Sequence, residues 1–275
     1  MAALDLEAEY NNRRRVPEHT EHAARWQAAS AAYRKTARAE LDQPYGPRDR
    51  NRYDLFLAAD AKAPLVVYIH GGYWQRGDRK DYSFLAKDLN AAGIDVVLPS
   101  YSLCPAVTVT DIIGEMRQCF AAVWKKTGKY PVVSGNSAGG HLTGAMVGTD
   151  WSKVSGVPAD LVRSGVAISG VFDVAPLIPT SINELARLDE KSARDASPLL
   201  WPLPPKDRTL IAAVGGDESP EFLRQSRVIA ETWGRAGLTT EYLVVPGTNH
   251  FTVVDELNKP GSALFAAVAR LARKS

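Results

Sequence analysis

The stretch "YPVVSGNSAGGHL", residues 130–142, decides how the rest of the chain is read. It opens as a short apolar, β-branched run and closes on small residues suited to a helix. Between the two stands Gly135-Asn136-Ser137-Ala138-Gly139, a G-x-S-x-G pentapeptide. Three fixed positions recur by chance, so the pentapeptide alone is a weak signal. A strand before it and an amphipathic helix after it are what a nucleophile elbow requires. There the serine takes a strained backbone conformation, and flanking glycines let neighbouring backbone pass without a Cβ clash. The Ser137 hydroxyl would then project above a sheet, with the N–H of Ala138 pointing into the same space. Without that context the segment would be an ordinary Ser-Gly entry to a helix.

Outward from the elbow, β-branched runs alternate with helical stretches. Periodicity predicts strands over 64–70, 95–101, 130–136, 164–172, 208–216 and 240–247. Helices are expected over 82–93, 110–126, 138–148, 221–237 and 261–274. Strands separated by helices imply the α/β class, a mostly parallel central sheet with helices on both faces. No repeat or composition break divides the series, so residues 1–275 read as a single domain. Residues 1–50 read as a helical N-terminal extension or cap. In it Ala23, Trp26, Ala29, Tyr33 and Ala37 give a helix over 19–38 one apolar stripe. That stripe fits a lid over the site and a docked cap equally. The Pro/Gly/Arg-rich stretch 43–52 breaks the chain after it. Residues 173–207 read as an insertion near the C-terminal edge of the sheet, where such sheets bind ligands.

Composition narrows the partners. The chain carries 33 basic and 31 acidic residues, a net charge of +2, which gives no electrostatic reason to expect nucleic acid or an anionic membrane. Arg13-Arg14-Arg15 is the basic cluster near the N-terminus, and a solvated helix face or loop explains it more cheaply than a binding patch. Two cysteines, Cys104 and Cys119, give neither a disulfide framework nor a zinc spacing. The N-terminal residues lack the apolar core of a signal peptide, and no run approaches about 18 uninterrupted apolar residues. A cytoplasmic protein with buried, reduced thiols is expected. A homodimer is compatible with the sequence, which does not set the oligomeric state.

A serine hydroxyl is a poor nucleophile at neutral pH and needs an adjacent base. Of the five histidines, His19 and His22 fall on the N-terminal helix, His70 precedes two glycines, and His141 lies one turn past Ser137. His250, in "VVPGTNHF", follows a late strand on a short loop. In a chain order of serine, acid, histidine it is the base candidate. The acid is less settled. "AVGGDESPEF" ends a strand and offers adjacent Asp217 and Glu218, while Asp173 follows the preceding strand. An acid orienting a histidine must be buried and aimed at one ring nitrogen, so neighbours on a loop cannot both serve.

The run "HGGYW", 70–74, follows the apolar strand 64–70. An acyl-transfer site needs N–H groups directed at the developing oxyanion, one after the nucleophile and others from the loop after an earlier strand. Gly72 and Tyr73 are the expected donors beside Ala138, with Gly71 allowing the turn.

On these residues the chain resembles the α/β-hydrolase superfamily and, more narrowly, the kynurenine formamidase (arylformamidase) family. The narrower resemblance rests on His70-Gly71-Gly72-Tyr73-Trp74, on Ser137 within "GNSAGGHL" and on "SPEFLRQS" at 219–226. "SGVFDVAPL" at 169–177 and the N-terminal "EYNNRRRVP" extend it over nearly the whole chain. It implies Ser137 as nucleophile, His250 as base, and the acid immediately before "S-P-E-F", which here is Glu218, with Asp217 as the alternative. It also implies hydrolysis of a formyl amide on an aromatic amine, with no cofactor and no metal. A general carboxylesterase acting on short-chain aryl or alkyl esters would need the same residues. Tyr73, Trp74 and Trp201 could wall a cleft for an aryl ring, although Trp201 would serve equally in a core.

Overall fold

The run Leu65–Ile69 is apolar throughout and buried along its whole length. Successive side chains of a strand point to opposite faces, so a run without alternation needs a cover on both sides. The structure, a computed structural model that describes residues 4–275, supplies two. Leu65, Val67 and Ile69 enter one core, while Val66 and Tyr68 enter the other.

The strands are β1 (Ala39–Pro44), β2 (Arg52–Phe56), β3 (Leu65–Ile69), β4 (Asp95–Pro99), β5 (Pro131–Asn136), β6 (Ser164–Ile168), β7 (Thr209–Gly215) and β8 (Thr239–Val245). They form one eight-stranded sheet in the order β1-β2-β4-β3-β5-β6-β7-β8. All neighbours from β4 to β8 are parallel, whereas β1 and β2 run antiparallel at one edge. This is the α/β-hydrolase arrangement. The helices Val109–Thr127, Ala138–Val147 and Pro220–Arg235 pack on one face through Ile112, Met116, Phe120, Leu142, Met146, Ile229 and Trp233. Leu85–Ala91 and Ala263–Ala272 cover the other through Leu85, Leu89, Leu264, Val268 and Leu271.

The helix Val109–Thr127 shows how the sequence sets such an element. Thr108 and Asp111 form a reciprocal capping box at its start, satisfying N–H groups that have no partner within the helix. Ile112, Met116, Phe120 and Val123 then fall on one face and are fully buried, each worth roughly 1.5–3 kcal/mol of apolar burial.

The edge departs from the sequence reading. Expected helix 19–38 ends at Arg34, and β1 and β2 form a hairpin around the Pro/Gly-rich break. β1 is polar and incompletely buried, and β2 carries Asp54. Asp54 is fully buried against two guanidiniums, Arg34 at 2.5 Å and Arg79 at 3.2 Å. Those partners come from other elements, which leaves a lone aspartate looking like a loop residue. Helix His19–Arg34 has no continuous apolar stripe either, since Ala29 is exposed. It docks through Trp26, packed on Phe84 and Tyr82, and through polar anchors. Trp26 Nε1 donates to Asp255 at 2.7 Å, Tyr33 to Asn90 at 2.6 Å, and Ser30 to the Asp81 carbonyl at 2.8 Å. These bonds give it the contacts of a docked cap. Among the described residues no helix is long and apolar enough to cross a membrane.

Candidate active site

β5 ends at Asn136 and the next helix starts at Ala138, leaving Ser137 alone to make the turn at φ 56° and ψ −117°. A side chain rarely adopts that conformation, and holding it costs on the order of 1–3 kcal/mol. The surroundings impose it. Ser137 N–H donates to Ile168 O at 2.8 Å, and Ser137 O accepts from His141 N–H at 2.9 Å. A Cβ on Gly139 would overlap the backbone carbonyl of Ile69, so glycine is required where the helix passes β3. Gly139→Ala is expected to destabilise the fold by about 3 kcal/mol, the upper part of the usual overpacking range, because the clash is with backbone. Urea unfolding checks this, and an unchanged midpoint would show that the elbow tolerates the methyl.

The loop after β3 faces the elbow. Gly72, Tyr73 and Trp74 have φ of 117°, 48° and 58°, three consecutive left-handed residues. Neither the Gly72 nor the Tyr73 N–H donates to another backbone carbonyl among the described residues. The Ala138 N–H, first in its helix, has no intrahelical partner. These three donors are available to an oxyanion. Gly71 is not a donor, because its N–H is spent on Asn136 Oδ1 at 3.1 Å. The same Oδ1 accepts from Tyr68 OH at 2.9 Å, tying the loop to the residue before Ser137.

Both aromatics of "YW" hold this strained loop in place. Tyr73 lines the cavity and its hydroxyl donates to Tyr10 O at 2.5 Å. Trp74 does not wall a cleft. It is fully buried, edge-on to His141 with centroids 4.9 Å apart, and its Nε1 donates to His141 Nδ1 at 3.2 Å. Trp201 lies away from the cavity too, over Arg117 and bonded to Asp195 O at 2.9 Å.

Geometry separates the histidines. His141 donates from Nε2 to Ala196 O at 2.7 Å while its Nδ1 accepts from Trp74, so both nitrogens are occupied. His70 is sandwiched on Tyr101 and Tyr82 with Nδ1 on Gly71 O at 2.8 Å. Burial lowers the pKa of each to about 4, so both are neutral structural groups. His250 shares a cavity with Ser137, and its Nδ1 lies 2.6 Å from Glu218 Oε2. With Nδ1–H donating to that carboxylate, Nε2 is left as an acceptor.

The candidate acids differ in placement as well. Glu218 is fully shielded along its side chain, and its Oε1 accepts from Gly215 N–H at 2.8 Å and from Ser169 Oγ. Asp217 is exposed, and Asp173 accepts from Ala175 N–H in a local turn.

The cavity holds about 360 Å³. Sequence reasoning did not assign to the site several of its other lining residues: Trp26, Tyr82, Phe251, Ile182 and the arginines Arg13 and Arg76. Arg13 belongs to the run read as a solvated helix face or loop; it is exposed, as that reading expects, and also lines the cavity. Ile182 and Ser181 come from the 173–207 insertion, which Gln75 Nε2 bonds at Ile182 O and Glu7 bonds at Ser181. Trp26 sits more than forty residues before the glycine loop, and only its helical setting marked it.

The site so assembled can do acyl-transfer chemistry, and the likenesses of the chain agree. Residues 53–197 match the BD-FAE family. The kynurenine formamidase of Danio rerio is 28% identical over 100% of this chain and 98% of its own. That of Salmo salar is 31% identical over 82% of this chain and 79% of its own. A crystal structure assigned as a thioesterase, from Silicibacter sp. TM1040, superposes with a TM-score of 0.88 at 32% identity, covering 97% of this chain and 99% of that one. Esterase B of Lactobacillus rhamnosis, at 17% identity and a TM-score of 0.72 over 94% and 93% of the two chains, shares the fold. The chain therefore belongs to the BD-FAE family of α/β-hydrolases and, within that superfamily, to the kynurenine formamidase family.

Proposed function

We propose that the protein hydrolyses an aryl formamide through a formyl-serine intermediate. The observation that carries the reading is the joint placement of Ser137, His250 and the Gly72–Tyr73 loop on one cavity that the aromatic residues Trp26, Tyr82 and Phe251 also line. Flat apolar faces suit an aryl ring, and the ring brings its formamide to Ser137.

In this scheme His250 Nε2 takes the Ser137 proton as Oγ bonds to the formyl carbon. The carbonyl electrons move onto oxygen, where the N–H groups of Gly72, Tyr73 and Ala138 meet the charge. The carbon–nitrogen bond then breaks, and the departing amine takes the proton from His250. Water loses a proton to His250 and adds to the formyl-serine. Formate leaves as the Ser137 oxygen recovers that proton. Glu218 holds the imidazole in the right tautomer and offsets its transient positive charge.

Cys104 and Cys119 are both free and buried, which supports a reducing, cytoplasmic setting. The test is steady-state hydrolysis of N-formylkynurenine beside 4-nitrophenyl acetate. Formate release with kcat/KM of about 10⁴ M⁻¹s⁻¹ or more is expected, within the ordinary enzymatic range. Ester cleavage at that level with an inert formamide would overturn the reading in favour of a carboxylesterase.

A further inference from the structure

The cavity has a cationic edge that the acyl-transfer steps leave unused. Arg13, from the segment Asn12–Arg15, and Arg76, four residues beyond Gly72, both line it. Neighbouring arginines are matched to acids, Arg34 and Arg79 to Asp54 and Arg50 to Asp78. Arg13 and Arg76 form no ion pair among the described residues. The one carboxylate lining the same cavity, Asp81, pairs with neither arginine among the described residues.

Two like charges beside one half-buried space oppose each other unless an anion joins them. Arg76 registers that opposition: burial first, then the Arg13 charge, weakens its hold on the proton. Its position is not accidental either. The stem of Arg76 passes over bare Gly72, where a Cβ would come within 2.9 Å of Arg76 Cγ. The start of the Arg76 side chain is thereby set against the oxyanion loop. Planar guanidiniums suit a planar carboxylate, which can accept from both.

A formyl group has no room for a charge. If the formamide reading holds, on which this step rests, the anion must belong to the amine side of the substrate. We propose that Arg13 and Arg76 form a subsite for a carboxylate carried on the amine portion, so that the enzyme selects anionic over neutral aryl formamides.

The experiment compares kcat/KM for N-formylkynurenine and its methyl ester in the unaltered protein, Arg13→Gln, Arg76→Gln and Arg76→Lys. A second matched pair, 3-(2-acetoxyphenyl)propanoate and its methyl ester, carries an ester in place of the formamide. The unaltered protein is expected to prefer the carboxylate at least tenfold. Each Gln variant should lower that preference about 10- to 100-fold, the worth of a charged hydrogen bond, mainly through KM. Arg76→Lys should retain part of the preference, and added salt should erode it. A preference near one in the unaltered protein would overturn the proposal. So would Gln variants that lose the same factor on both members of a pair, which is the mark of a structural role. If only the ester pair is turned over, the formamide reading fails, and the preference within that pair decides the arginines by the same criterion.

Discussion

Ser137→Ala is expected to lower kcat on N-formylkynurenine by about 10⁴-fold or more, leaving the fold intact. The size of the loss follows from the proposed route. Without Oγ there is no covalent intermediate, and what remains is binding and oxyanion stabilisation of a direct attack by water. The fold should survive because the exchange removes one oxygen and keeps the Cβ. The turn at φ 56° is imposed by the backbone bond to Ile168 and by glycine at 139, neither of which the variant touches. The thermal midpoint should therefore move little, and a serine-directed phosphonate should label the parent protein and not the variant. A loss of less than tenfold with full phosphonate labelling of the variant would place the nucleophile elsewhere.

The sheet and the elbow are legible in the sequence for one physical reason. Strands buried on both faces must be apolar along their centres, as in "LVVYI" and the "VVL" of β4, and a serine between such a strand and a helix has a single kind of turn to occupy. The hairpin of β1 and β2 is illegible because its core position is an aspartate. Asp54 is tolerable only with Arg34 and Arg79 around it, and nothing near residue 54 announces that both will arrive. A buried ion cluster of this kind is a property of three elements together.

The aromatic residues make the complementary point. Sequence places Trp74 beside the glycine loop and predicts a cleft wall. Three successive residues at positive φ re-aim the chain, and the indole goes under the loop against His141. The wall itself is built by Trp26, Tyr82 and Phe251, from segments far apart along the chain. Adjacency in sequence finds a backbone donor, because the donor's place is fixed by the chain. It does not find a side chain's neighbours, because those depend on packing between segments. Tyr73 shows both behaviours: its N–H is available to an oxyanion and its hydroxyl reaches Tyr10 in the N-terminal segment.

Glu218 and Asp217 offer the sharper test, since they are adjacent, both acidic and oppositely placed. Glu218→Gln is expected to lower kcat about 10³- to 10⁴-fold, and Asp217→Asn less than threefold. A glutamine at 218 can turn its amide –NH₂ toward His250 Nδ1 and its oxygen toward Gly215 N–H and Ser169. That arrangement satisfies every hydrogen bond, which is why the variant should fold. It also makes Nδ1 an acceptor, placing the ring proton on Nε2, the wrong side for taking a proton from Ser137. The charge that would steady the imidazolium disappears in the same step. Asp217 has no such leverage, because its side chain is exposed and only its backbone is engaged, its N–H donating across to Thr248 O at 3.0 Å. Substrate affinity separates this effect from general damage: KM should change little in Glu218→Gln, since the aromatic wall and the arginines are untouched. Loss of turnover in Asp217→Asn with retention in Glu218→Gln would reverse the assignment, and equal small losses would return attention to Asp173.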